Sequence, residues 1–256
     1  MTLSLDSLLL ILGATLRIGS FMAIAPPFSS AMIPVSIRVG MSLSMGVAGA
    51  HLLPFSNTTF NSSSSMIGFF VVQVIFGLAL GLVVNTLISA FSSAGYLSGL
   101  LGGFSPPPQM DPLNLNQNSG LGILYEIISL ELLFSSGGYL LILKGLFVSL
   151  SVGMPHGISV AQITSIALAN FTTFFGAVIQ ITAPVAAVMF TIQVLLSILS
   201  RVSPSISVYA LSFPIQILAT IFVVTMVISD LPGFTSLVVN QTITTMMALT
   251  RALNGA

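Results

Sequence analysis

Long apolar segments dominate this sequence and limit what it can fold into. A helix that spans a membrane needs about 20 mainly apolar residues, and the segments 66–101, 121–152 and 161–200 each exceed that length. Charged residues make up 4% of the chain, whereas they make up about a quarter of a soluble globular domain. The sequence therefore predicts an all-α protein of the membrane type, with helical hairpins and long broken helices.

Prolines and short polar stretches divide the chain into predicted helices. Proline lacks the backbone N–H and its ring clashes with the preceding turn, so it ends or bends a helix. Pro184 therefore predicts a kink or a break in the segment 161–200, and Pro232 with Gly233 predicts a turn at 229–233. The predicted helices cover residues 3–24, 35–53, 66–101, 121–152, 161–200, 206–228 and 234–253.

The first apolar segment partly imitates a cleavable signal peptide. Asp6 stands where such a peptide carries positive charge, Arg17 interrupts the apolar run, and Pro26-Pro27 directly follows the small residues that could mark a cleavage site. These features predict a first helix that is retained.

The stretch 103–118 interrupts the apolar segments in the middle of the chain. Its three successive prolines, Pro106, Pro107 and Pro108, remove three backbone donors and favour an extended, non-helical start. The residues that follow are mostly neutral and rich in amide side chains, with a few apolar side chains among them. From the residues alone, an ordinary connecting loop is favoured over an element that projects into a channel.

Charged residues inside the apolar segment 121–152 require partners. Glu126, Glu131 and Lys144 lie within it. A charge in lipid is costly, so each is expected to face another segment, another subunit or water. For Lys144 a position near the membrane surface is an equal alternative, because a lysine side chain can reach from the lipid to water.

Glycines repeat at four-residue spacing along the segment 66–101. Gly77 and Gly81 fall on one helix face, where the absence of a side chain lets another helix backbone approach closely. Glycine is common in membrane helices, so a single pair would not predict a contact. The series continues at Gly95, Gly99 and Gly103, and it is the series that predicts a tight helix–helix contact.

The composition also excludes several classes of function. With a net charge of zero and no run of like charges, the chain is not suited to binding nucleic acid. It has no cysteine, no phosphate-binding glycine loop and no known catalytic motif, which predicts a protein that is not an enzyme and holds no cofactor or metal. A membrane scaffold and a small-solute secondary transporter stay open, the latter because of Pro184 and the two intramembrane glutamates.

One pattern near the end of the chain is more specific. Arg201 is followed by Pro204 and then by Phe213-Pro214. With this pattern, the chain resembles the FliR/SctT family of type III secretion export-gate proteins over essentially its whole length. It departs from the family at Tyr139, where histidine is frequent, and at Gln216, where lysine is frequent. The supporting landmarks are Ala25-Pro26, Asp111-Pro112, Glu126, Gly138-Tyr139, Pro155-x-Gly157 and Pro184.

The resemblance implies an architecture and a set of partners. Residues 1–203 would form a FliP-like helical part that includes a central plug loop at 103–120, and residues 204–256 would form a FliQ-like C-terminal helical hairpin. One copy of the chain would join five FliP-type and four FliQ-type subunits in a helical hetero-oligomeric channel. FlhB-type and FlhA-type proteins would be further partners.

The resemblance also implies a function. The chain would be a structural and gating subunit of the flagellar type III protein-export channel, which passes unfolded flagellar substrates across the bacterial inner membrane at the flagellar basal body. The equivalent subunit of a virulence injectisome is the alternative within the family.

Two groups of site residues are predicted, one for closing the channel and one for assembly. The pore plug is assigned to Phe104, Ser105, Pro106, Pro107, Pro108, Gln109, Met110, Asp111, Pro112, Leu113, Asn114, Leu115, Asn116, Gln117 and Asn118. Assembly or structural contacts are assigned to Arg201, Pro204, Phe213, Pro214, Glu126, Glu131, Lys144, Pro184, Gly77 and Gly81.

Overall fold

The structure is a computed structural model, and it describes residues 5–30, 32–54, 63–104, 119–152, 160–203 and 208–254. Within these ranges every regular element is a helix, so the predicted all-α class is confirmed. The helices are α1 (Leu5–Ile24), α2 (Val35–Gly49), α3 (Ser63–Leu101), α4 (Gly120–Ser135), α5 (Gly138–Leu150), α6 (Val160–Val202) and α7 (Val208–Asn254), with a 3₁₀ turn at Ala50–Leu52.

Prolines bound the first two helices as the sequence predicts. α1 ends just before Pro26-Pro27, and α2 begins directly after Pro34, whose φ of −56° and ψ of 144° are typical of a residue that precedes a helix. α1 packs along α2 and against the 3₁₀ turn that follows it. The N-terminal helix is therefore packed against another helix of the chain.

The segment 121–152 is two helices, and the prediction of one helix there is wrong. α4 ends at Ser135 and α5 begins at Gly138. Between them Gly137 has a φ of +70°, in the left-handed region that glycine enters without a steric cost. The backbone therefore breaks where the sequence offers a pair of glycines.

The predicted turn at 229–233 is absent, and of the kink or break predicted at Pro184 the break is absent, while the kink stays a prediction. α6 continues through Pro184, and α7 continues through Pro214 and Pro232 as one helix. Among the described residues only Gly103 and Gly137 have positive φ, so Gly233 does not adopt a turn conformation. Membrane-type helices tolerate proline because neighbouring helices, serine and threonine side chains and local backbone adjustments satisfy the groups that it frees.

The described chain divides into two compact units, and neither is continuous in sequence. The first unit contains Met1–Leu87, Gly137–Phe171 and Val239–Ala256, and its core includes Phe21, Phe69 and Leu146. The second contains Ile88–Ser136 and Thr172–Val238, and its core includes Tyr125 and Ile181. The predicted division at residue 203 rests on the family resemblance and stays a prediction.

Four helices are long and apolar enough to cross a membrane, and α4 with α5 forms a fifth candidate that is broken at Gly137. In α6 and in α7 only 22% of the most apolar window is buried. Most of the apolar surface of these two helices is therefore open to lipid or to another chain. The four candidate spans are Ser7–Ile24, Ser64–Leu101, Ala161–Val202 and Ala210–Leu253.

Candidate functional site

The C-terminal end of α3, where the predicted plug loop begins, is closed by a well-formed cap. Gly103 has a φ of +75°, its N–H donates to the Leu100 carbonyl at 3.4 Å, and the Phe104 N–H donates to the Gly99 carbonyl at 2.8 Å. These two bonds and the left-handed glycine form a Schellman motif, which satisfies the last helical carbonyls. The chain therefore leaves the helix at Phe104 in a defined direction.

The same end of α3 is seated on α7 within the second unit. A Cβ atom placed on Gly102 would overlap the Thr220 Oγ1 atom and lie 2.6 Å from its Cγ2 atom. Thr220 is fully buried, and its hydroxyl donates to the Gln216 carbonyl at 2.7 Å. A Cβ atom on Gly103 would lie 3.5 Å from the Phe213 ring. Only glycine at residue 102 allows this approach.

The start of α4, where the predicted plug loop ends, is also fixed. Ser119 caps the helix, with its Oγ accepting from the Gly122 N–H at 3.0 Å. A Cβ atom on Gly95 of α3 would lie 2.5 Å from the Leu121 carbonyl oxygen, and one on Gly122 would lie 3.2 Å from the Ser92 carbonyl oxygen. The backbones of α3 and α4 are therefore in direct contact at this level.

The capped end of α3 at Gly103 and the capped start of α4 at Ser119 are the two anchors of the segment between them, residues 105–118. Of the residues assigned to the plug, only Phe104 is described, and 37% of its surface is exposed. The remaining plug residues lie outside the described part of the chain, and their role stays a prediction. The structure thus shows how the segment is held at both ends.

The charged residues assigned to assembly all lie at the surface. Glu126 and Glu131 on α4, Lys144 on α5 and Arg201 in the last turn of α6 are exposed. Within the described ranges, no ion pair joins any of these side chains to another residue of the chain, so they are available to partners outside it.

The remaining residues assigned to assembly differ in exposure. Phe213, Pro214 and Pro184 are exposed, whereas Gly77 and Gly81 are buried. Pro204 lies outside the described residues.

Gly77 and Gly81 pack on α1. A Cβ atom on Gly77 would overlap the Ser20 Oγ atom and the Arg17 carbonyl oxygen, and one on Gly81 would lie 2.9 Å from the Phe21 carbonyl oxygen. The two helices therefore approach each other backbone to backbone at these positions.

Replacing Gly77 with valine is expected to lower the amount of folded chain in the membrane several-fold, because α1 and α3 would have to separate. Gly68→Val on the same helix is the matched control, since a Cβ atom there meets nothing within 4 Å. The measurement is protease resistance of the membrane-inserted chain. Equal resistance of the two variants would contradict the prediction.

Arg17 is the residue whose importance sequence reasoning missed. It is fully buried, and its guanidinium binds three groups from other parts of the first unit. Nε donates to Gln73 Oε1 at 2.7 Å, Nη1 donates to the Ser149 carbonyl, and Nη2 donates to the Val152 carbonyl at 2.8 Å. The guanidinium carbon also lies 4.8 Å from the centre of the Phe76 ring, within range of a cation–π interaction.

This arrangement joins three helices through one cation. Ser149 lies in the last turn of α5 and Val152 lies two residues past its end, where the helix dipole favours a positive charge. The Ser149 carbonyl also accepts from the Val152 N–H at 3.2 Å. The signal in the sequence was a lone arginine in an apolar segment, a position that is costly in lipid and therefore points to a polar partner. The partners lie far along the chain, so the sequence alone could not name them.

The polar groups of the described residues are arranged for structure. Within the described ranges no group of three or more histidine, cysteine, aspartate or glutamate residues could hold a metal ion. Many serine and threonine hydroxyls donate to a helix carbonyl three or four residues earlier, as Thr250 does to Met246 at 2.7 Å. Such bonds satisfy a hydroxyl inside an apolar helix.

Comparison with known proteins places these features in a family. A family model described as bacterial export proteins, family 1, matches residues 8–242. The flagellar biosynthetic protein FliR of Pectobacterium carotovorum subsp. carotovorum is 25% identical over 221 residues, which cover 85% of this chain and 84% of the relative. The FliR protein of Bacillus subtilis (strain 168) is 24% identical over 207 residues, 79% of each chain. The surface presentation of antigens protein SpaR of Shigella flexneri is 23% identical over 219 residues, 85% of this chain and 84% of the relative.

Proposed function

The chain belongs to the bacterial export proteins, family 1, and we propose that it is a structural and gating subunit of a flagellar type III protein-export channel. In this role it passes unfolded flagellar substrates across the bacterial inner membrane at the flagellar basal body. The observation that carries the proposal is the family match over residues 8–242, together with relatives named for flagellar biosynthesis.

The exposed apolar surface of α6 and α7 supports a role inside a larger assembly. Phe175, Ile179 and Phe190 on α6 and Leu218 and Phe222 on α7 are each more than half exposed. Large apolar patches of this kind mark contacts with lipid or with other proteins. FliP-type and FliQ-type subunits are the proposed neighbours, with one copy of this chain in each channel.

The anchors on either side of residues 105–118 support the proposal that this segment closes the channel at rest. The start of α4 contacts Gly95 and the loop leaves α3 after Gly103, so the ends are separated along α3 by about 12 Å. A chain of this length can extend to about 45 Å. The excess length allows the segment to project while its ends stay fixed.

Extraction of the native membrane with a mild detergent is expected to yield the chain in one large complex. Native mass spectrometry would then find one copy of this chain with several copies each of FliP-type and FliQ-type subunits. A lone monomer or homodimer that binds a small solute would instead support the secondary transporter and overturn the proposal.

A virulence injectisome is the second candidate system, and the SpaR relative favours it. Complementation separates the two. Restored motility in a strain that lacks its flagellar counterpart supports the flagellar assignment. Restored effector secretion in an injectisome mutant, without restored motility, supports the other.

A further inference from the structure

A groove of about 340 Å³ lies between α6 and α7 in the second unit. Pro184 and Val188 line it from α6, and Phe222, Met226 and Asp230 are among the residues that line it from α7. Its walls are almost entirely apolar, apart from the carboxylate of Asp230.

The lining positions on α7 follow the repeat of one helix face. They include Ala219, Val223, Met226 and Asp230, which recur three or four residues apart. From residue 219 to residue 230 the groove runs for about 16 Å along α7, the length of roughly three helical turns. Its length and apolar walls therefore match an apolar helix laid into it.

Asp230 gives the groove a charge at one end. It is the only charged residue of α7 before Arg251, and it is exposed. Within the described part of the chain no basic side chain pairs with it. A carboxylate among apolar membrane-type helices is costly unless a cation or water compensates it.

A proline on α6 frees one further hydrogen-bond acceptor. Pro184 has no N–H, so the carbonyl of Gln180, one turn earlier on the same face of α6, loses its usual helical donor. The side chains that line the groove include the carboxylate of Asp230 as an acceptor and no donor. Lysine and arginine side chains, which only donate, have the complementary chemistry.

We propose that this groove receives an apolar helix of a neighbouring subunit that carries a lysine or arginine opposite Asp230. This inference rests on the proposed function, because it assumes that the chain is part of a multisubunit complex. The length of the groove favours a helix as the occupant. The carboxylate of Asp230, which no basic side chain of the described residues compensates, favours a helix that carries a cation. A lipid acyl chain in the same groove would lack the selective dependence on Asp230.

The test places a photo-reactive benzophenone amino acid at Met226 of the full chain in its native membrane. Met226 lines the groove and is 58% exposed, and Ile221 is the matched control because it is 50% exposed but lies on the opposite face of α7. The expected product at Met226 is a cross-link to another subunit, within an apolar helix that has a lysine or arginine about two turns or less away. At Ile221 this product should be absent.

Substitution of Asp230 then tests the charge. Asp230→Asn should lower the yield of this cross-link several-fold, Asp230→Lys should lower it further, and exchange of the partner's basic residue for glutamate should restore it in the Asp230→Lys background. Cross-links only to lipid, only to this chain or to a helix without a basic residue would overturn the inference, as would an unchanged yield in Asp230→Asn. The composition of the complex is measured in the same sample and tests the proposed function separately from the groove. If an intact export complex is found with any of these results, only the inference about the groove is overturned.

Discussion

Replacement of Arg17 by leucine is expected to abolish most of the folded chain, although it makes α1 more apolar. The guanidinium donates to Gln73 Oε1 and to the carbonyls of Ser149 and Val152. Without it, Gln73 Oε1 and the Val152 carbonyl become buried acceptors without a donor, and the Ser149 carbonyl keeps the Val152 N–H at 3.2 Å. Each buried acceptor left unsatisfied costs about 1–3 kcal/mol, whereas a whole domain is stable by only about 5–15 kcal/mol. The measurement is protease resistance of the chain in isolated membranes and its yield in the extracted complex.

Arg251→Leu is the matched control, because it removes the same charge from an exposed position in the last turn of α7. It is expected to behave nearly as the unmodified chain. Arg17→Lys should recover only part of the loss, since an ammonium group is a compact charge and cannot reach three acceptors in the fork geometry of a guanidinium. Wild-type protease resistance of Arg17→Leu would show that the three bonds do not hold the first unit together.

The positions of most helices could be predicted from the sequence, because a long apolar segment in this composition has few alternatives to helix. The errors have two different causes. The weight that prolines and glycines have as helix breakers in water overstates their effect in a membrane-type helix, where neighbouring groups satisfy the freed backbone atoms. α7 stays helical through Pro232 and Gly233. The break at Gly137 depends on a left-handed backbone conformation, which the pattern of apolar residues does not indicate.

The candidate site was predictable to a smaller extent. The segment 103–118 could be recognised as non-helical from its prolines, but its anchors depend on residues far apart in sequence. Gly102 meets Thr220, and Gly95 meets Leu121. Such pairs depend on how the helices pack. A glycine in the sequence does not show which residue of another helix will lie against it. The same holds for Arg17, whose partners lie on α3 and at the end of α5.

Shortening the central loop is expected to make the membrane leak ions while the complex still assembles. The variant replaces residues 106–118 with about six glycine and serine residues, enough to bridge the estimated 12 Å between the anchors at about 3.3 Å per residue. Both anchors stay intact, because the Schellman cap at Gly103 and the Ser119 cap use no residue from the replaced segment. The ends of α3 and α4 should therefore keep their contacts with α7 and with each other.

Ion permeability of cells or of membrane vesicles carrying the complex is the measurement, with complex yield determined in parallel. A second variant replaces residues 106–118 with a glycine and serine segment of equal length. It distinguishes the effect of loop length from the effect of the proline and apolar side chains. If both variants leak, the closure depends on those side chains; if only the shorter one leaks, it depends on length. An intact complex with an unchanged ion barrier in the shortened variant would contradict a plug role, because the anchors would then hold a segment that closes nothing.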